Sequence, residues 1–181
     1  MGDLARTFDN LAASLENRVK ERELAEKTLI ARSLQQTVVS ALGHVNGAPD
    51  DLLACTSANL ITTMRADGVD RLVVLSSPAV DDLEDRPGLF YRAARVLLRI
   101  VMPSVVRDHR AQARLIEESG LAWTIVRGPL LFTDGPRTGR YHAGAIGRES
   151  GRRISRADLA DFMLATATNG SFIRMQPLVS E

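Results

Sequence analysis

The residues of this chain with the clearest chemical use fall in three short runs, Ala41-Leu42-Gly43, Ser76-Ser77-Pro78 and Arg127-Gly128-Pro129. Each follows an apolar stretch, and each ends in glycine or proline, whose small size or fixed φ lets backbone groups come close to a flat ligand. One such run is ordinary turn chemistry. Three of them, one carrying two hydroxyls, point to a ligand site. The three histidines are His44, His109 and His142. His109, within Arg107-Asp108-His109, offers a titratable ring near a substrate, or else reads as a helix-surface histidine. His44 follows the first run and can line the same site. No histidine, cysteine and carboxylate group has the spacing of a metal centre, so no metal site is expected. Cys55 is the single cysteine, which excludes an internal disulfide and fits a reducing, cytoplasmic setting. The only lysines are Lys20 and Lys27, so the rest of the chain works with arginine alone.

The elements that must position these runs follow from hydrophobic periodicity. Thr37–Leu42 reads as a short buried parallel strand, Arg71–Ser77 as a second and Ala122–Arg127 as a third. Asp50 or Asp51 caps a helix with an apolar face of Leu53, Leu60, Ile61 and Met64, closed by Gly68. Leu89–Val101 and Ser104–Ser119 are helical, the latter ended by Gly120. Ser155 and Asp158 make a capping box that opens a helix over Arg156–Thr168. Phe172–Val179 reads as a last edge strand. Trp123, Phe162 and Met163 read as core, and Arg148, Arg152, Arg153 and Arg156 as a solvated basic patch. Ligands bind beyond the carboxyl ends of the strands in such a fold, where the three runs fall. The expected class is α/β, an incomplete Rossmann-like parallel sheet with an N-terminal long helix.

That helix spans residues 3–34. Leu4, Phe8, Leu11, Leu15 and Val19 share one face, and Glu16–Lys20 and Glu23–Lys27 are favourable i,i+4 pairs. It packs on its own domain or forms a coiled-coil homodimer. The expected organisation is therefore a 1–36 helical extension and a 37–181 Rossmann-like domain. With 45% apolar and 25% charged residues and a formal charge of +1, the composition is that of a soluble globular protein. The near-neutral charge gives no pull toward nucleic acid, and no apolar run is long enough for a membrane span, leaving a small-molecule substrate as the expected partner.

The order of motifs carries a resemblance. "VVSALG", "NLITTMRADGVDRLVVLSS", "RDHRAQARLIEESGLAWTIVRGPLL", "TGRYHAG" and "ISRADLADFMLATA" resemble the atypical short-chain dehydrogenase/reductases of the NAD(P)H-binding, NmrA-like group. The arrangement is most similar to the flavin reductase and biliverdin reductase B branch. Residues 4–28 also resemble, over a low-complexity stretch, the signalling helix that follows HAMP domains. The first resemblance implies NADP or NAD as cofactor, with Ala41, Leu42 and Gly43 bordering it, Ser76 and Ser77 beside the nicotinamide, and Pro129 and Leu130 packed along it. Ser77 and His109 are the candidate catalytic residues. It also implies that the loop holding Tyr141 and His142 closes over the substrate.

Two departures qualify the implied function. The family seats the cofactor pyrophosphate on a glycine-rich turn at a helix N-terminus, yet residues 3–42 contain no glycine. Weak cofactor binding is therefore expected. Tyr91 and Arg95 have the spacing of the tyrosine–lysine pair of ordinary short-chain dehydrogenases, but an arginine stays charged and cannot relay a proton. Tyr91 reads instead as a packed surface aromatic. The implied activity is reduction of a flavin or similar planar substrate, impaired by the missing turn. The alternative is a non-catalytic NmrA-like nucleotide sensor or a helix-mediated dimerisation module.

Overall fold

Alternating strand and helix segments place each apolar run between two helix layers, and the computed structural model shows how. It describes residues 36–44, 47–148 and 150–181, so the long helix expected over 3–34 lies outside the described residues. In chain order the elements are β1 (Thr37–Ser40), α1 (Leu52–Asp67), β2 (Arg71–Ser76), α2 (Leu89–Val101), α3 (Pro103–Glu117) and β3 (Ala122–Arg127). They continue as β4 (Leu131–Thr133), β5 (His142–Gly144), β6 (Arg153–Ser155), α4 (Arg156–Asn169) and β7 (Leu178–Ser180).

The main sheet runs β1-β2-β3-β7-β5, parallel except for β5, which lies antiparallel to β7. Thr37 pairs with Arg71 and Arg71 with Ala122, so the three expected strands are adjacent and parallel. Their period of two divides the core. Leu72 and Val74 of β2 join Trp123 and Ile125 of β3 against Ile61 and Met64 of α1 and Ala113 and Ile116 of α3. Val73 and Val126 point the other way, onto Leu159, Phe162, Met163 and Ala167 of α4. The result is a parallel sheet covered on both faces, the arrangement βαβ connections impose. A second, two-stranded sheet pairs β4 with β6.

Local chemistry sets the boundaries. Gly68 closes α1 with φ 68° and its N–H on Met64 O, the left-handed cap expected of it. Ser155 caps α4, its Oγ accepting the Asp158 N–H at 3.0 Å. Pro103 opens α3, where a missing N–H costs nothing.

Three expectations need correction. First, β1 stops at Ser40 rather than Leu42 and is half-exposed at the end of the described sheet; His44 draws the following loop toward α3. Second, Asp51 makes no side-chain cap on α1. The donors at that helix end are taken by Asp108 of α3, whose carboxylate accepts Leu53 N–H at 2.8 Å and Ala54 N–H at 2.9 Å. Third, the last strand is shorter than Phe172–Val179 and is no edge, because β5 covers its outer side. Phe172 and Arg174 both sit at φ 57°, which breaks the extended run before it can pair continuously.

Candidate active site

Because β1, β2 and β3 are parallel and in register, the three runs that follow them are brought to one edge of the sheet. There they open a cleft of about 280 Å³, lined by Leu42 and Gly43, by Ser76, Ser77 and Pro78, by Gly128, Pro129 and Leu130, and by His109. Leu98 and Met102, at the end of α2, and Val105 of α3 close one side, so the walls are largely apolar. Of the residues expected to border the cofactor, Ala41 lies apart: it lines a neighbouring cavity of about 350 Å³ with Arg156, Leu159, Ala160 and Met163 of α4.

His109 is not on the helix surface. Its ring is buried, and Nδ1 lies 3.1 Å from Ser76 Oγ. Burial first, then the adjacent His44 ring, push it down from 6.5 to about 4, against the opposing pull of Asp108 and Gln112. A neutral imidazole therefore stands behind the serine pair at pH 7. Ser77 Oγ accepts the Ala79 N–H at 3.2 Å, which turns the chain sharply after β2 and leaves its proton free for another acceptor.

His44 does not line the cleft. It stands behind Gly43, with Nε2 2.7 Å from the buried carboxylate of Asp108 and its ring 6.1 Å from that of His109, edge to face. Asp108 thus joins the loop after β1, the N-terminus of α1 and the helix that carries His109. Sequence reading passed over it. The available signal was an acidic residue among the apolar positions of α3, next to a histidine.

A second missed group lies beneath the cleft. Arg127, fully buried at the end of β3, donates to both Asp85 oxygens, at 2.7 Å and 2.9 Å, and through Nε to Gln176 O at 2.7 Å. Arg95 reaches the same carboxylate at 2.6 Å, and the Ile146 N–H completes its shell at 2.8 Å. Burial alone would raise the Asp85 carboxyl, but hydrogen bonds and charge from Arg127, with those from Arg95 and Ile146, outweigh it and hold it below the usual carboxylate range. An arginine closing the otherwise apolar run AWTIV was the trace of this cluster in the sequence.

The cluster also settles the tyrosine. Tyr91 is packed but not at the surface: it is 2% exposed and its hydroxyl donates to Gly151 O. Arg95, four residues on, is spent on Asp85 and on Pro78 O at 3.0 Å. Neither lines the cleft. His142 is exposed on β5, paired with Ser180, while Tyr141 donates to Asp161 at 3.2 Å and packs on Phe162. From His142 on, that segment is a sheet strand, and neither Tyr141 nor His142 lines the cleft. In the basic patch, Arg152 stacks 4.0 Å over the Phe90 ring, Arg153 lies 3.6 Å from Glu181, and Arg156 is paired with Asp134. Among the described residues no group of side chains could hold a metal ion, and no helix is long and apolar enough to cross a membrane.

A strand-end cleft with small residues at its floor is a dinucleotide geometry, and the sequence as a whole agrees: residues 6–170 match the profile of an NAD(P)H-binding domain family. The chain belongs to that family. Among solved structures, this NAD(P)H-binding chain is similar to a protein described as an NAD-dependent epimerase/dehydratase from Bacillus halodurans, with a TM-score of 0.62 and 21% identity over 81% of this chain and 64% of the other. It is similar to a wide-type short-chain dehydrogenase/reductase of Veillonella parvula solved with NADP, with a TM-score of 0.54 and 19% identity over 71% and 58%. It is also similar to ChuY, an anaerobillin reductase of Escherichia coli O157:H7, with a TM-score of 0.61 and 19% identity over 86% and 70%. The fold is that of these Rossmann-like neighbours, and the atypical short-chain dehydrogenase/reductase motifs fit it. The NAD(P)H-binding chain spans 58–64% of the length of the first two.

The residues present fit one half of the cofactor. The cleft offers an apolar slot with serine hydroxyls at one end, which suits a nicotinamide ring and its carboxamide. The pyrophosphate is served less well. The first donors of α1, the helix end nearest the run after β1, are already taken by Asp108.

Proposed function

We propose that this chain is an NAD(P)H-dependent reductase of the atypical, NmrA-like kind, acting on a flavin or similar planar substrate. The observation that carries the reading is the cleft itself: the ends of three parallel strands, Ser76, Ser77 and His109 meet in one apolar slot. Bound there, the nicotinamide supplies a hydride. What the chain contributes is orientation, and a hydride transfer gains most of its rate from that. In this reading Ser77 holds the carboxamide, Pro129 and Leu130 pack along the ring, and Gly43 admits it to the loop after β1. Neutral His109 fixes the Ser76 hydroxyl and, through it, a hydrogen bond toward the reacting face. Tyr91 and Arg95 take no part.

A specific observation favours the second reading, a non-catalytic nucleotide sensor: residues 3–42 hold no glycine, and Asp108 occupies the end of α1. Losing two charge-assisted hydrogen bonds of ~1.5–3 kcal/mol each weakens dinucleotide binding by about a hundredfold or more. Assembly as a homodimer through residues 4–19, and a reducing cytoplasmic setting for the exposed Cys55, belong to the same proposal.

Titration of NADPH against the pure protein, followed by nicotinamide fluorescence and by turnover with a flavin, tests it. The expected result is weak, saturable binding that Ser77→Trp abolishes and Tyr91→Phe preserves. Binding without turnover would favour the sensor, submicromolar affinity would overturn the weak-binding inference, and no binding at all would end both readings.

A further inference from the structure

The cleft and the neighbouring cavity share two lining residues, Leu75 and Phe132. Leu75 belongs to β2 and is fixed by the sheet. Phe132 is different. It sits at the centre of the three-residue strand β4, paired with the fully buried Ile154 of β6, and the residue remains 40% exposed. Its ring lies directly on Gly128: a Cβ placed there would come within 2.5 Å of Phe132 Cζ and 2.9 Å of Cε1. No side chain fits between them while the ring stays there, so glycine at 128 is what lets the ring rest on the backbone at the cleft. Gly128 carries no positive φ, and its small size serves this contact rather than a turn conformation.

The two compartments, at about 280 and 350 Å³, each sit near the lower end of the range of small-molecule pockets, roughly 300 Å³. The ring standing between them therefore decides whether a ligand meets one short slot or a long one. It also offers an aromatic face, on which a planar system gains offset-stacking energy beyond its buried area.

Resting on the cleft reading above, we propose that Phe132 is the specificity-determining residue of the site: its ring, seated on Gly128, stacks the planar substrate and limits its length. The substrate class is a compact fused-ring aromatic of flavin type. A longer planar molecule is disfavoured until the ring is removed or lifted.

The test compares the affinities of flavin mononucleotide and of biliverdin, a longer conjugated ligand, by fluorescence quenching in the full chain. Variants are Phe132→Ala, Phe132→Leu, Gly128→Ala and the double variant Gly128→Ala/Phe132→Ala. Because Phe132 is exposed, its truncation leaves the core intact, and a thermal melt checks this. Phe132→Ala should weaken the flavin about tenfold and shift the flavin-to-biliverdin preference toward the tetrapyrrole by at least that factor. Phe132→Leu, which keeps bulk but loses the aromatic face, should fall between. Gly128→Ala should lift the ring and reproduce the shift, yet have little further effect when Phe132 is already alanine. An unmoved preference in Phe132→Ala, or an equal effect of Gly128→Ala in both backgrounds, would overturn the proposal. So would wild-type protein that binds NADPH but neither planar ligand, which leaves the cofactor reading standing. Failure to bind NADPH removes both.

Discussion

Helices α2 and α4 are of similar length, and they are held to the sheet by opposite means. α4 turns Leu159, Phe162, Met163 and Ala167 inward, and the hydrophobic effect docks it. α2 buries Tyr91 and Arg95, while Leu89, Val96, Leu97, Ile100 and Val101 face outward. Apart from the Tyr91 ring, which packs with Ile146 and Leu178, what fastens α2 is directional: Tyr91 to Gly151 O, and Arg95 to Pro78 O and to the Asp85 carboxylate. The difference maps onto function. Apolar docking tolerates small shifts, whereas a bidentate carboxylate pins its partners to tenths of an ångström. The pinned side holds the Pro78–Asp85 segment behind the serine pair, so precision is concentrated next to the cleft.

The sharpest way to break this comparison is to remove its central carboxylate. Asp85→Ala takes the buried counter-charge from Arg95 and Arg127, leaving them the more exposed Asp81 at 3.3 Å and Asp82 at 4.0 Å, a change worth about 3–5 kcal/mol. Ser155→Ala, which deletes only the cap of α4, should cost ~1 kcal/mol in the same urea-unfolding experiment. Comparable losses in the two variants would show that the ionic cluster is not what fixes α2.

A pH series sharpens it further, because the polar side of the cleft carries a buried neutral histidine. Folding lowers His109 from 6.5 to about 4. Between those values the unfolded chain takes up a proton that the folded chain refuses, so the contribution is intact above pH 6.5 and is lost as the pH falls toward 4. That lowering corresponds to roughly 3 kcal/mol at the acid end of the window. Stability curves at several pH values should therefore slope downward from 6.5 to 4 in the wild type and flatten in His109→Gln, whatever the variant's absolute stability. An unchanged slope would place the ring in contact with water.

Much of this was legible in the sequence. The strands TVVS, RLVVLS and AWTIVR show continuous apolar character, and Ser155–Asp158 and Gly68 show cap chemistry, because those signals are local. The three strand-end runs were legible for the same reason. The polar cluster was not, since Arg127 lies 42 residues from Asp85, and Arg95 and Arg127 meet on that carboxylate only through the fold. Asp108 was missed likewise: it caps a helix more than fifty residues upstream, where a local reading looks to Asp50 and Asp51. Strands β4, β5 and β6, three residues each, are too short to show a period of two. α2 misled in the opposite sense, for its apolar periodicity is real but faces away from the core.

That outward face gives the smallest expected effect and the most direct check on the contrast. Leu97 is 61% exposed and Ile100 72%, so most of their apolar area is already in water in the folded chain. Stability comes only from area removed on folding. Replacing both with glutamine, a comparable helix former, should therefore change the unfolding free energy by no more than about 0.5 kcal/mol. Met163, on the buried face of α4, is the matched control, and Met163→Ala should cost ~2–5 kcal/mol. Urea melts of the two variants, with the wild type at the same protein concentration, decide the matter. A loss of 2 kcal/mol or more in Leu97→Gln/Ile100→Gln, on the order of a core deletion, would mean that α2 is docked by its apolar side after all. The ionic cluster would then be a consequence of that docking and not its cause.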